Sequence, residues 1–179
     1  MIDFAEMEIF ARSEAMGEIL RGQWGLNIGD EQDPPSAFIS DGSTQSLGNG
    51  GSGSNLEFDE LPLWDTDNLY SADKNDRFTI RTPGLYCFGL DYQINDVSGG
   101  LTQTWFVAYD QSGVSLRELG KKRAVGTSTP HFNDAYGSYV FEEGDYLEAW
   151  VYHLAGGTKS IPARNFWICR QGSGTRDSN

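Results

Sequence analysis

The sequence predicts an all-β fold, an antiparallel sandwich over residues 56–171 of a 179-residue chain. Three observations predict it. Apolar and polar residues alternate with a period of two through several runs, as in strands with one buried face. Turn signals (Pro-Gly, Ser-Gly-Gly, Gly-Asp, Gly-Gly) separate those runs at regular intervals. No helical period crosses the region, and many short strands punctuated by turns make sandwiches or barrels.

Taken in order, residues 77–80 (RFTI) read as a short strand, followed by a turn with Pro83 at its first central position. Residues 85–94 (LYCFGLDYQI) put Tyr86, Phe88, Leu90, Tyr92 and Ile94 on one face. Cys87, Gly89, Asp91 and Gln93 fall on the other. The segment NDVSGG turns, and 102–110 (TQTWFVAYD) is the next strand. After DQSG comes a strand at 114–119 (VSLREL), then a loop over KKRAVGTSTP. Residues 131–141 (HFNDAYGSYVF) and 146–154 (YLEAWVYHL) are strands joined by the tight turn EEGD. In the second, Leu147, Ala149 and Val151 oppose Tyr146, Trp150 and Tyr152. AGGTKS turns, and 164–170 (RNFWICR) closes the domain, leaving 172–179 as a tail.

Two segments precede the sandwich. Residues 1–24 predict a helix: Asp3 and Glu6 fit a capping box, and Gly22 is a stop. Phe4, Met7, Ile9, Phe10, Met16, Ile19 and Leu20 recur at loosely helical spacing. A lone helix of this length is marginal in water, so it needs a surface to pack on. That surface is either its own β domain or another protein. In the second case Phe4, Ile9, Phe10, Met16, Leu20 and Trp24 are the anchors. Residues 25–55 read as an extended arm, with Pro34 and Pro35 followed by DGSTQSLGNGGSGSN. Such a stretch has too little apolar surface to offset ordering entropy. Its one apolar pair, Phe38 and Ile39, is a small anchor or a short strand at a sheet edge.

Charge narrows the function classes. With 26 acidic and 13 basic residues the net charge is −13. Nucleic-acid binding rests on cations that neutralise phosphates, and anionic membranes attract basic segments, so neither partner is expected. Two cysteines far apart, Cys87 and Cys169, make no disulfide framework. The opening MIDFAEMEIF carries acidic residues where an export signal is basic, and no apolar run reaches the roughly 18 residues of a membrane span. The expectation is a soluble chain made in a cytoplasm.

No catalytic, cofactor or metal constellation stands out. His131 and His153 lie on or beside different strands, and no GxSxG string occurs. Asp65, Asp67 and Asn68 are hard oxygen donors of the kind calcium takes, but without the spacing of an EF-hand. The run Lys121, Lys122 and Arg123 is a solvated loop tip or a salt-bridge patch against an acidic surface. An enzyme is not expected.

Three strings in order carry a resemblance. The first is Asp65–Thr66, then Asn75, Arg77, Phe78 and Thr79, then Pro83–Gly84, then Tyr86 and Phe88. The second is YVFEEGDYLEAWVY with its Gly144–Asp145 turn, and the third is a last strand with an aromatic, Phe166. In this order and spacing they resemble the tumour-necrosis-factor-like and complement-q-like jelly roll, in the compact form of phage and bacterial structural proteins. Trp167 and Ile168 depart from it, where that family has a small residue. The resemblance implies a jelly roll that assembles as a homotrimer. It also places the strands of Cys87 and Cys169 side by side, with both thiols turned from the interior toward the three-fold. Cys87, Tyr136, Trp167 and Cys169 are then the expected trimer interface, with the thiols buried and reduced. The resemblance does not decide between ligand, recognition head and virion part; the acidic charge, the lack of an export signal, the apolar N-terminal helix and the glycine-rich arm point to a trimeric virion structural protein assembled in the host cytoplasm. It would be a phage capsid decoration (cement) protein, fastened to the major capsid protein or another virion protein through its N-terminal arm. The alternative is a tail or fibre head that binds a host glycan or protein through aromatics such as Trp105 or Tyr109.

Overall fold

In the computed structural model the described residues are 34–126 and 130–174. The helix expected over 1–24, with its anchors Phe4, Ile9, Phe10, Met16, Leu20 and Trp24, lies outside them. Twelve strands follow one another: β1 (Ser36–Asp41), β2 (Gln45–Leu47), β3 (Ser54–Asn55), β4 (Trp64–Asp65), β5 (Arg77–Thr79), β6 (Gly84–Ile94), β7 (Leu101–Tyr109), β8 (Ser115–Val125), β9 (His131–Phe141), β10 (Tyr146–Leu154), β11 (Lys159–Ile161) and β12 (Ala163–Gly172). A single 3-10 turn, Ala72–Lys74, precedes β5.

The strands form an antiparallel jelly-roll sandwich. One sheet has the order β4-β1-β12-β6-β9, the other β3-β10-β7-β8 with β5 also on β10, and β11 pairs β2 in a small ribbon. Alternation sorts the side chains as the sequence predicts. Tyr86, Phe88, Leu90, Tyr92 and Ile94 of β6 are buried, as are Phe166 and Ile168 of β12 and Leu147, Ala149 and Val151 of β10. Between the sheets Phe88 meets Phe106 edge-on at 4.8 Å, and Phe166 packs against Phe78 at 4.4 Å and Phe58 at 5.4 Å. Each such ring, fully buried, contributes about 1.5–3 kcal/mol. Tyr92 places its hydroxyl 2.7 Å from Thr104 Oγ1, so its one polar atom is satisfied inside the core.

Three expectations are corrected. The arm over 25–55 is not coil through 36–55: β1 pairs over its whole length with β12 and also with β4, so it lies inside a sheet and not at an edge. Ala37, Ile39 and Leu47 are buried. Ser-Ala-Phe-Ile-Ser-Asp alternates, and the glycines around it only bend the chain between β2 and β3. The basic run at 121–123 is strand, not loop. It lies in β8, an edge strand, where lysines suit an unpaired rim. Its charges have partners: Lys121 meets Glu118, Lys122 meets Asp134 across the gap to β9, and Arg123 donates to Gln103. Gly120 permits that approach. Its φ is +58°, and a Cβ there would fall 2.5 Å from the Tyr136 carbonyl oxygen. Finally, Trp105 is only 6% exposed, so it offers no ring to a ligand.

The two ends of the domain are locked by a buried ion pair. Arg164 of β12 donates to Asp41 at the end of β1 at 3.0 Å, to the Ser43 carbonyl at 2.7 Å and to the Glu57 carbonyl. Asp41 also accepts from the amides of Ser43 and Asp59, both at 2.6 Å. Burial alone raises the Asp41 carboxyl. The bonds from Ser43 and Asp59, with Arg164 beside it, outweigh that and hold it below its ordinary 3.8. His153 is likewise structural: wholly buried, its Nε2 lies 3.2 Å from the Leu47 carbonyl and its Nδ1 faces the Ala155 amide.

Candidate functional site

The side chains that alternation turns outward from the first sheet form the candidate site. Registers across the sheet set Trp64 opposite Phe38, Phe38 opposite Trp167, Trp167 opposite Gly89, and Gly89 opposite Tyr136. One lateral row therefore crosses all five strands, from β4 to β9. Its members touch. Phe38 stacks on Trp64 at 4.8 Å, and Trp167 and Tyr136 lie 6.3 Å apart. Gly89 is the gap that lets Trp167 lie down: a Cβ there would fall 2.6 Å from three indole atoms. This explains how a large residue follows Phe166. Ile168 continues the buried face while Trp167 occupies the space left by Gly89.

The rows beside it differ in chemistry. On one side Ser36, Cys169, Cys87 and Ser138 stand opposite one another, with Leu85 and Val140 beyond. On the other lie Ser40, Asn165, Asp91 and Asp134, with Phe132 past them, opposite Gln93. Asn165 donates to Asp91 at 2.6 Å. Burial, with the charge of Asp134 nearby, nevertheless raises the Asp91 carboxyl above its ordinary value. The face is apolar for a surface. Phe132 is 70% exposed, Tyr136 58% and Trp64 40%, and Leu61 and Leu63 stand exposed in the loop leading into β4.

All four residues expected at a subunit interface, Cys87, Tyr136, Trp167 and Cys169, fall on this face. Both thiols are free and point away from the sandwich interior, but they are half-buried and not fully so. Burial raises Cys87, and burial together with Cys87 pushes Cys169 up to about 11. Trp64, Phe38, Gly89 and Phe132 were not read from the sequence as part of the site. For Phe38 the alternation against Ala37 and Ile39 was the available signal. For Trp64, in a two-residue strand, there was none.

The outer face of the second sheet is different because its aromatics are buried or half-buried. Tyr109 stacks on Tyr146 at 4.8 Å, Trp105 on Trp150 at 6.1 Å, and Arg77 caps Tyr146 at 4.1 Å. Glu148 joins them, bonded to Arg77 at 3.2 Å and accepting from Trp150 Nε1 at 3.0 Å. Burial raises its carboxyl. Asp65, one of the three calcium candidates, spends both oxygens on the amides of Asp67, Leu69 and Tyr70. It closes a loop. Among the described residues no group of three or more His, Cys, Asp or Glu is placed to hold a metal.

No protein-family model matches the chain, and no curated protein matches it. Among solved structures it is similar to the globular domain of zebrafish complement 1qA protein. The TM-score is 0.51 and the identity 18%, over 78% of this chain and 99% of that one. The likeness is one of fold alone: both are jelly-roll sandwiches.

Proposed function

We propose that this chain is a homotrimeric protein-binding module whose subunits pack through the outer face of the β4-β1-β12-β6-β9 sheet. One observation carries the reading. Among the described residues the exposed aromatics, Trp64, Phe132 and Tyr136, all lie on this face, with Phe38 and Trp167 joining two of them in one row, while Trp105, Tyr109, Tyr146 and Trp150 of the opposite sheet are buried or half-buried. Contiguous exposed apolar surface of this kind marks an interaction site. A stable interface needs roughly 1,200–2,000 Å² in total, about the reach of one five-stranded face per subunit pair.

Sedimentation equilibrium of the full chain tests it. A trimer is expected, and Trp167→Glu with Tyr136→Glu should yield folded monomers. A monomeric wild type, or a trimer indifferent to both changes, would overturn it.

The finer reading is a virion protein, most specifically a phage capsid decoration protein. Its trimer would be fastened to the major capsid protein or another virion protein by residues 1–24, with Phe4, Ile9, Phe10, Met16, Leu20 and Trp24 as anchors. The acidic charge and the apolar residues of that segment support it. A chain beginning at residue 34 should trimerise yet fail to sediment with capsids. The alternative, a tail or fibre recognition head, draws on a separate feature. Leu154, Leu101 and Val125 form an aliphatic row at one end of the second sheet, with Leu154 and Val125 exposed. Binding of the isolated trimer to host cells, lost on Leu154→Asp, would favour it.

A further inference from the structure

Cys87 and Cys169 are 82 residues apart in the chain, yet the β6–β12 register sets them directly opposite one another. Both are free, both are half-buried, and both project from the same face. Directly opposed residues in an antiparallel pair have Cα atoms about 4.5 or 5.5 Å apart, depending on the hydrogen-bonding position. Either value lies within the roughly 4.4–6.8 Å that a disulfide spans. The contacts of the Cys169 thiol are local: it lies 3.6 Å from the adjacent Arg170 carbonyl and hydrogen-bonds with Gln171, both in its own strand. The flanking residues are small, Ser36 beside Cys169 and Ser138 beside Cys87, so nothing bulky stands between the strands and the space above them.

We propose that this pair is a dithiol modification site, at which a small-molecule disulfide oxidant closes an intrachain cross-strand bond between β6 and β12. The chemistry is two successive thiol–disulfide exchanges. The Cys87 thiolate attacks the oxidant, one thiol leaves with the proton, and a mixed disulfide remains on Cys87. Cys169 then gives up its proton and attacks the Cys87 sulfur, releasing the second thiol. The two protein thiols are oxidised by two electrons, and one oxidant disulfide is reduced to two thiols. Cys87 takes the first step because Cys169 carries the larger penalty for ionising. Both thiols sit one row from Trp167, on the face assigned above to subunit packing. On that reading closure belongs to the unassembled chain, and the bond would staple the two central strands of the face before subunits meet.

A redox titration of the full chain tests the site. The chain is equilibrated from urea into glutathione buffers of graded poise, quenched with an alkylating agent and weighed intact. The same titration in urea supplies the unfolded reference. If the fold holds the sulfurs in register, the folded chain should reach half oxidation at a glutathione disulfide level at least ten-fold lower than the unfolded chain. The product should lose both alkylation sites without gaining glutathione. The oxidised form should also unfold at higher urea, a gain erased by dithiothreitol and absent in Cys87→Ser and Cys169→Ser. Equal or harder oxidation in the folded state, a stable glutathione adduct, or an interchain bond would overturn the proposal. Repeating the titration over a series of protein concentrations separates closure in the single chain from any effect of assembly, so the trimer can fail independently.

Discussion

Gly89 is where a missing atom does the most. Its absent Cβ is the bed of the Trp167 indole, which links Phe38 on one side to Tyr136 on the other. Gly89→Ala should therefore lift the indole and break the row while leaving the core intact. The expected loss of stability is about 1–3 kcal/mol, the usual range for overpacking. The trimer dissociation constant should rise about ten-fold or more, equivalent to about 1.4 kcal/mol. Urea unfolding and sedimentation read the two effects separately. Arg164 acts oppositely, since it is needed inside. Arg164→Ala strands the Asp41 carboxylate in the core and should cost about 3–5 kcal/mol. Asp41 also sets an acid limit. A carboxyl that ionises more readily folded than unfolded stabilises the fold above its ordinary 3.8, and that share is lost as pH falls through its lower folded value. The urea midpoint should thus drop below about pH 4, and Asp41→Asn should flatten that part of the profile.

At the scale of elements, β1 decides where the domain begins. A chain that starts at residue 34 keeps β1 between β4 and β12 and should unfold at the same urea concentration as the described domain. One that starts at residue 56 loses Ala37, Ile39 and Leu47 from the core, each large aliphatic among them worth about 1.5–3 kcal/mol. It also loses Asp41, the partner of Arg164. Circular dichroism should find it unfolded. The strands that were legible are those whose two faces differ in polarity. β9 and β10 read from the sequence at their observed bounds, and β6 and β12 within two residues at either end. β1 was obscured by the Gly/Ser stretch that follows it, and β8 by a charged run that belongs to an edge strand. Of the site, alternation yielded Cys87, Trp167 and Cys169. The row itself depends on long-range register, Phe38 against Trp167 across 129 positions of sequence, which no local pattern encodes.

For the whole molecule, charge and apolar surface pull in opposite directions. In the proposed trimer three subunits, each of net charge −13, would repel one another, while the aromatic face would draw them together. Assembly should therefore tighten as salt rises toward about 0.1 M, where screening acts within about 10 Å. Sedimentation across a salt series checks this. Weakening with salt would instead point to an interface held by ion pairs.

The position of β12 has a consequence for synthesis. β12, the last of the described strands to leave the ribosome, sits in the middle of its sheet, between the first of them, β1, and β6. Until residue 172 has emerged, those two strands face each other across an empty slot, each with an unpaired edge. The sheet closes only once β12 has emerged. A message truncated anywhere before codon 163 yields a product with two open edges and the aromatic core uncovered, the kind of species that aggregates or is degraded. Insertion of β12 into that slot thus serves as the closing step of this sheet.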